Sequence, residues 1–95
     1  MPGEDIIKYA KEGDLKKVEE CITNGDDINV TEYGYTALML ASFNGHPAVV
    51  TSLIAHQADI NVTDHGGWTA LMLASWKGHP AVVTSLIAHQ ADINV

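Results

Sequence analysis

A chain of 95 residues fills one domain with room for only a modest core. At 46% hydrophobic and 18% charged residues it reads as folded rather than disordered, and it shows neither an apolar run long enough to span a membrane nor a secretory leader. A net charge of −7, with no basic stripe anywhere, repels a phosphate backbone and sets nucleic acid aside as a partner.

One period organises the chain. Residues 36–62, TALMLASFNGHPAVVTSLIAHQADINV, return as residues 69–95 with changes only at Phe43/Trp76 and Asn44/Lys77. A fixed spacing of 33 residues marks a repeat array. In chain order, the first element is the most altered copy. Gly13, Val18, Ile22, Gly25, Asp27, Ile28 and Asn29 match Gly45, Val50, Ile54, Gln57, Asp59, Ile60 and Asn61 at an offset of 32. The helix pair of the repeated unit therefore places helices near 5–12 and 15–24. Glu4, Lys8, Lys11, Lys16, Glu19 and Glu20 give this opening segment the polar outer face that a terminal repeat requires. Cys21, the sole cysteine, falls beside Ile22 in that pattern and reads as a small buried hydrophobe.

The next unit opens with Thr36, a helix cap, followed by a short apolar helix that Gly45 ends as the left-handed residue of a tight turn. Pro47 then starts a second helix at the position where its missing N–H costs nothing. Val49, Val50, Leu53 and Ile54 make a stripe broad enough to face two neighbours. After it, ADINVTDHGGW carries the Asp, Asn and Gly of a projecting hairpin. Residues 69–95 repeat the pattern.

The string G-W-T-A-L-M-L-A-S-x-x-G-H-x-x-V-V-x-x-L-I-x-x-x-A-D-I-N resembles the ankyrin repeat over nearly the whole chain. The resemblance implies an all-α solenoid: a capping repeat over 4–35, a unit over 36–68, and a unit over 69–95 that stops before its hairpin with no polar closing repeat. It also implies a binding module rather than an enzyme. Departures from the family pattern are visible. Ala37-Leu38-Met39 and Ala70-Leu71-Met72 stand where the family usually has P-L-H. Gln57 and Gln90 replace a usual glycine, at a cost of roughly 1 kcal/mol each if φ is positive there. The Thr31–Tyr35 hairpin is one residue shorter than Thr63–Trp68. The near identity of the units, reaching exposed positions such as Thr51, His56 and Gln57, points to a recent duplication or to deliberate construction, in concept like a designed ankyrin protein.

Metal and catalytic chemistry find no support in the pattern. His46 and His56, like His79 and His89, are separated by ten residues, roughly 15 Å of helix, against the ~2.0–2.1 Å of zinc ligation. Stacked equivalents are expected ~8–10 Å apart. His46 and His79 are therefore assigned to their turns, and His56 and His89 to solvent. Ser42, Ser52, Ser75 and Ser85 are copied with the repeat, whereas an active site is a single place. No cofactor is implied.

The remaining candidates are the positions that escape the copying. Apart from Tyr9, every aromatic residue falls on a hairpin or at the end of a unit's short helix. In ankyrin proteins those places line the surface that touches targets. Tyr33, Tyr35, Phe43, Asn44, His65, Trp68, Trp76 and Lys77 are accordingly the expected protein-binding residues, with Trp and Tyr supplying large rigid contact area. The expected partner is another protein, and the alternative is self-association through the last unit. Neither nucleic acid nor a membrane is expected. The absence of a disulfide framework fits the cytoplasm, or recombinant production if the chain is engineered.

Overall fold

Six helices follow one another in pairs in the computed structural model, which describes residues 4–89: α1 (Glu4–Glu12), α2 (Leu15–Thr23), α3 (Ala37–Phe43), α4 (Pro47–Ala55), α5 (Ala70–Lys77) and α6 (Pro80–Ala88). None exceeds nine residues, too short to persist alone in water. Their stability comes from lateral packing. The first helices of the pairs stack as α1–α3–α5 and the second as α2–α4–α6, while each helix also packs on its own partner.

Local chemistry sets the ends. Thr36 and Thr69 accept the backbone N–H of Met39 and Met72, each at 3.2 Å, and Asp14 does the same for Lys17. Gly13, Gly45 and Gly78 take φ values of 73–77° in the turns within each pair, a conformation glycine adopts without strain. Gln57 takes φ 72° where the family places glycine. This is the strained geometry expected of it; Gln90 lies outside the described residues.

The apolar stripe faces inward on both sides. Val49, Val50 and Leu53 are fully enclosed, and Ile54 packs at the edge of the same core. Ile6, Ile7, Ala10, Val18 and Cys21 extend that core into the first pair, and Leu73, Ala74, Val82 and Leu86 extend it into the last. Each enclosed Leu or Val contributes roughly 1.5–3 kcal/mol relative to exposure. Burial holds the Cys21 thiol above its ordinary pKa, helped by its hydrogen bond to Asp26 and by the negative charges of Asp26, Asp5 and Glu20.

The hairpins are tight turns, the first closed by a single antiparallel bridge, Glu32 to Tyr35. One sequence assignment is revised. The histidines of the G-H turns do more than complete the turn. His46 Nε2 donates to the Lys11 carbonyl (3.0 Å) and His79 Nε2 to the Phe43 carbonyl (2.9 Å), so each reaches back to the end of the preceding unit's first helix. His56 and His89 are exposed, with Nδ1 donating to the Ser52 and Ser85 carbonyls of their own helices. A second tie between units runs through Asn29, whose side-chain oxygen accepts the Asp59 N–H at 2.7 Å.

Candidate protein-interaction face

The two hairpins are built by different local devices. Tyr33 (φ 54°) and Gly34 (φ 82°) form the two-residue tip of the first, while Glu32 and Tyr35 exchange both backbone hydrogen bonds at 3.0 Å. Paired positive φ values match the twist of the flanking backbone, and they throw Tyr33 outward until 85% of it is exposed. In the second hairpin the Asp64 carboxylate accepts the N–H groups of Gly66 (2.8 Å) and Trp68 (2.9 Å). The Asp64 N–H in turn reaches the Trp68 carbonyl at 2.9 Å. Asp64 thereby fixes where the Trp68 indole projects. The hairpins also touch one another. A Cβ on Gly34 would lie 2.8 Å from the His65 ring, so only glycine lets the second hairpin settle there.

Between these hairpins and the ends of α3 and α5 lies an open basin of about 590 Å³. Tyr33, Tyr35, Phe43, His65, Trp68 and Trp76 line it, together with Leu40, Leu73, Asp64 and Gly66. The rings are mutually packed. Trp76 sits 6.0 Å from Phe43 and 5.5 Å from Trp68, tilted by 59° and 53°, a geometry that favours edge-to-face attraction. Trp76 is nevertheless 65% exposed and Trp68 40% exposed, so much of both indoles faces solvent.

Asn44 and Lys77, the second half of the variable pair, are placed differently. Asn44 ends α3 and returns its side-chain amide to the Leu40 carbonyl at 3.0 Å, outside the basin lining. Lys77 reaches across to the preceding unit. Its ammonium lies 5.1 Å from the Phe43 ring centre and 5.4 Å from that of Trp76. Of the eight sequence-selected residues, the fold brings six to one basin, sets Lys77 over two of its rings and leaves Asn44 as a helix cap.

Sequence reasoning missed Leu40, Leu73 and Asp64. The two leucines were indistinguishable from core in the L-M-L string. Asp64 carried a signal in the D-H-G-G-W turn chemistry, but a structural one.

Among the described residues, no three or more His, Cys, Asp or Glu side chains are grouped so as to hold a metal ion, and no helix is long and apolar enough to cross a membrane.

The paired helices and the glycine turns define a stacked helical repeat protein. The family model of ankyrin repeats, in three copies, matches residues 6–95, and the chain belongs to the ankyrin repeat family. It is similar to the ankyrin repeat protein YahD of Escherichia coli (strain K12), at 44% identity over 62 residues, 64% of this chain and 31% of that protein. It is also similar to the E3 ubiquitin-protein ligase mind-bomb of Drosophila melanogaster, at 32% identity over 79 residues, 67% of this chain and 6% of that protein. The chain therefore spans less than a third of either relative. Ankyrin repeats in general mediate contacts between proteins and are not catalysts.

Proposed function

We propose that this chain binds a partner protein without catalysis, using the aromatic basin between its hairpins as the contact face. One observation carries the reading: residues 36–62 and 69–95 differ only at Phe43/Asn44 and Trp76/Lys77, and three of those four side chains meet, the half-buried Phe43 ring packing on the exposed Trp76 with Lys77 over both. Stacking demands the same framework in every unit, so departures from it answer to something other than stacking. Large exposed indoles suit hot-spot positions in an interface. The free, buried Cys21 thiol accords with a reducing compartment.

The test is display selection or pull-down with the parent chain and with a Phe43→Ala, Trp68→Ala, Trp76→Ala triple variant whose fold is checked by circular dichroism. Loss of the captured partner in the variant supports the basin. Undiminished capture refutes it.

A second reading is self-association through the outer face of α5 and α6. Ile87 is 49% exposed and Ser75 is exposed, whereas their counterparts Ile54 and Ser42 are packed against the core or enclosed. Light scattering across concentration discriminates the two. An oligomer that dissolves when a polar closing repeat is appended favours self-stacking, and a monomer at all concentrations favours the basin.

A further inference from the structure

We infer that the aromatic basin accepts a lysine side chain carried on an extended segment of the partner; this rests on the binding role just proposed for the basin. Three observations converge. First, the rings already hold an ammonium. Lys77, which makes no salt bridge among the described residues, keeps its Nζ 5.1 Å from the Phe43 ring centre and 5.4 Å from that of Trp76. Those distances fall within the reach of cation–π attraction, which is strongest over an indole. Second, Lys77 covers only part of the cluster. It stands over the Phe43–Trp76 side, while Tyr33, Tyr35 and Trp68 line the open volume beyond it.

Third, the charge is complementary. Asp64 lines the basin. An adjoining groove of about 680 Å³ shares Tyr33, Tyr35 and Leu40 with it and is lined by Asp5, Glu12 and Glu32 as well as Lys8 and Lys11. Basin and groove together present four carboxylates against Lys8, Lys11 and the ammonium of Lys77 over the rings, an excess of negative charge on a chain of net charge −7. A neutral apolar side chain would gain from the rings but nothing from this field. An acidic one would be repelled by it. Continuity of the groove with the basin lets an elongated backbone lie along the first while its lysine enters the second. Lys77 is then an internal competitor, occupying ring faces and adding a like charge at the rim.

The experiment uses the full chain and two end-blocked pentapeptides, one with a central lysine and one with norleucine, which keeps the chain and removes the charge. The indole N–H resonances report directly, because Trp68 and Trp76 are the only tryptophans. The lysine peptide is expected to shift both and to bind roughly threefold to thirtyfold more tightly than the norleucine peptide. Lys77→Gln, on an exposed position, is expected to strengthen lysine-peptide binding, and Trp76→Leu to abolish it by calorimetry. Equal binding of the two peptides overturns the lysine assignment while leaving an apolar contact face standing. A lysine peptide that moves neither indole overturns it as well. Loss of partner capture in the triple variant, by contrast, tests only the basin.

Discussion

Replacing Gly45 with alanine separates two reasons for a glycine. Its φ of 73° is unfavourable for any residue with a Cβ, and a Cβ built there would lie 2.5 Å from the His79 ring. Gly78 has nearly the same φ, 76°, but nothing lies within 4 Å of its virtual Cβ. Gly78→Ala therefore measures backbone strain alone, about 1–2 kcal/mol. Gly45→Ala adds displacement of a ring that is held by its bond to the Phe43 carbonyl. Losing that hydrogen bond costs about 1 kcal/mol and forcing the packing about 1–3 kcal/mol. Gly13→Ala should behave like Gly45→Ala, since its Cβ would meet the His46 ring at 2.6 Å. The assay is urea unfolding followed by circular dichroism and by the two tryptophans, because a repeat array can lose its last unit separately. A double-mutant cycle completes it: in a His79→Ala background, Gly45→Ala should cost only the strain. If Gly45→Ala and Gly78→Ala agree within about 0.5 kcal/mol, or if removing the His79 ring leaves the cost of Gly45→Ala unchanged, the histidine is not a wedge between units and the reasoning fails.

Further outcomes follow from single features of the fold. Ser42 Oγ is enclosed and has no hydrogen-bond partner among the described residues, so Ser42→Ala should stabilise by about 1 kcal/mol, raising the melting temperature by roughly 4–8 °C. Ser75→Ala at the exposed counterpart should be near neutral. Gln57→Gly should relieve the strain of φ 72° and gain about 1 kcal/mol, read as a higher urea midpoint. Cys21 is predicted to resist alkylation in the native chain at neutral pH and to react rapidly in denaturant. Its thiol pKa is raised, chiefly by burial, so the folded state holds the proton that the unfolded state releases. Its stabilising effect is complete below the unfolded pKa of about 8.5 and is lost as pH rises from there through the raised folded value, by at most about 1.4 kcal/mol per pH unit. A Cys21→Ala variant should lack this alkaline decline.

The helices were readable because their signals are local and repeated. Expected near 5–12 and 15–24, the first pair lies at Glu4–Glu12 and Leu15–Thr23. Threonine caps, the proline at the start of each second helix in the copied units and the turn glycines all act within a few residues of themselves. Contacts made across units left no such trace. Nothing in the string G-H-P states that His79 will bond a carbonyl 36 residues earlier, because that bond exists only once the units are offset by one repeat. The hairpins were legible as loops from their Asp, Asn and Gly residues, and they offer too few paired positions to build a ladder beyond the Glu32–Tyr35 bridge. Most of the basin's aromatic wall was legible as the set of exceptions to the repeat; Leu40 and Leu73 were hidden by serving the core and the basin at once.

The order of the variable pairs matters because each unit reaches backward. Lys77 lies over Phe43, which occupies the place of Trp76 in the unit before. Exchanging the pairs, by Phe43→Trp with Asn44→Lys and Trp76→Phe with Lys77→Asn, leaves composition and framework unchanged. The lysine introduced at position 44 would then reach back towards Lys11, the earlier counterpart of Phe43 at the offset of 32, where no ring is available and the charge is like. The exchange also replaces the Trp68–Trp76 contact at 5.5 Å with one to a smaller ring. Stability should move by less than about 1 kcal/mol, since the exchanged positions lie outside the enclosed core. Partner capture and lysine-peptide binding should both fall. If binding survives the exchange intact, then ring content alone suffices, and the backward reach of Lys77 has no part in shaping the site.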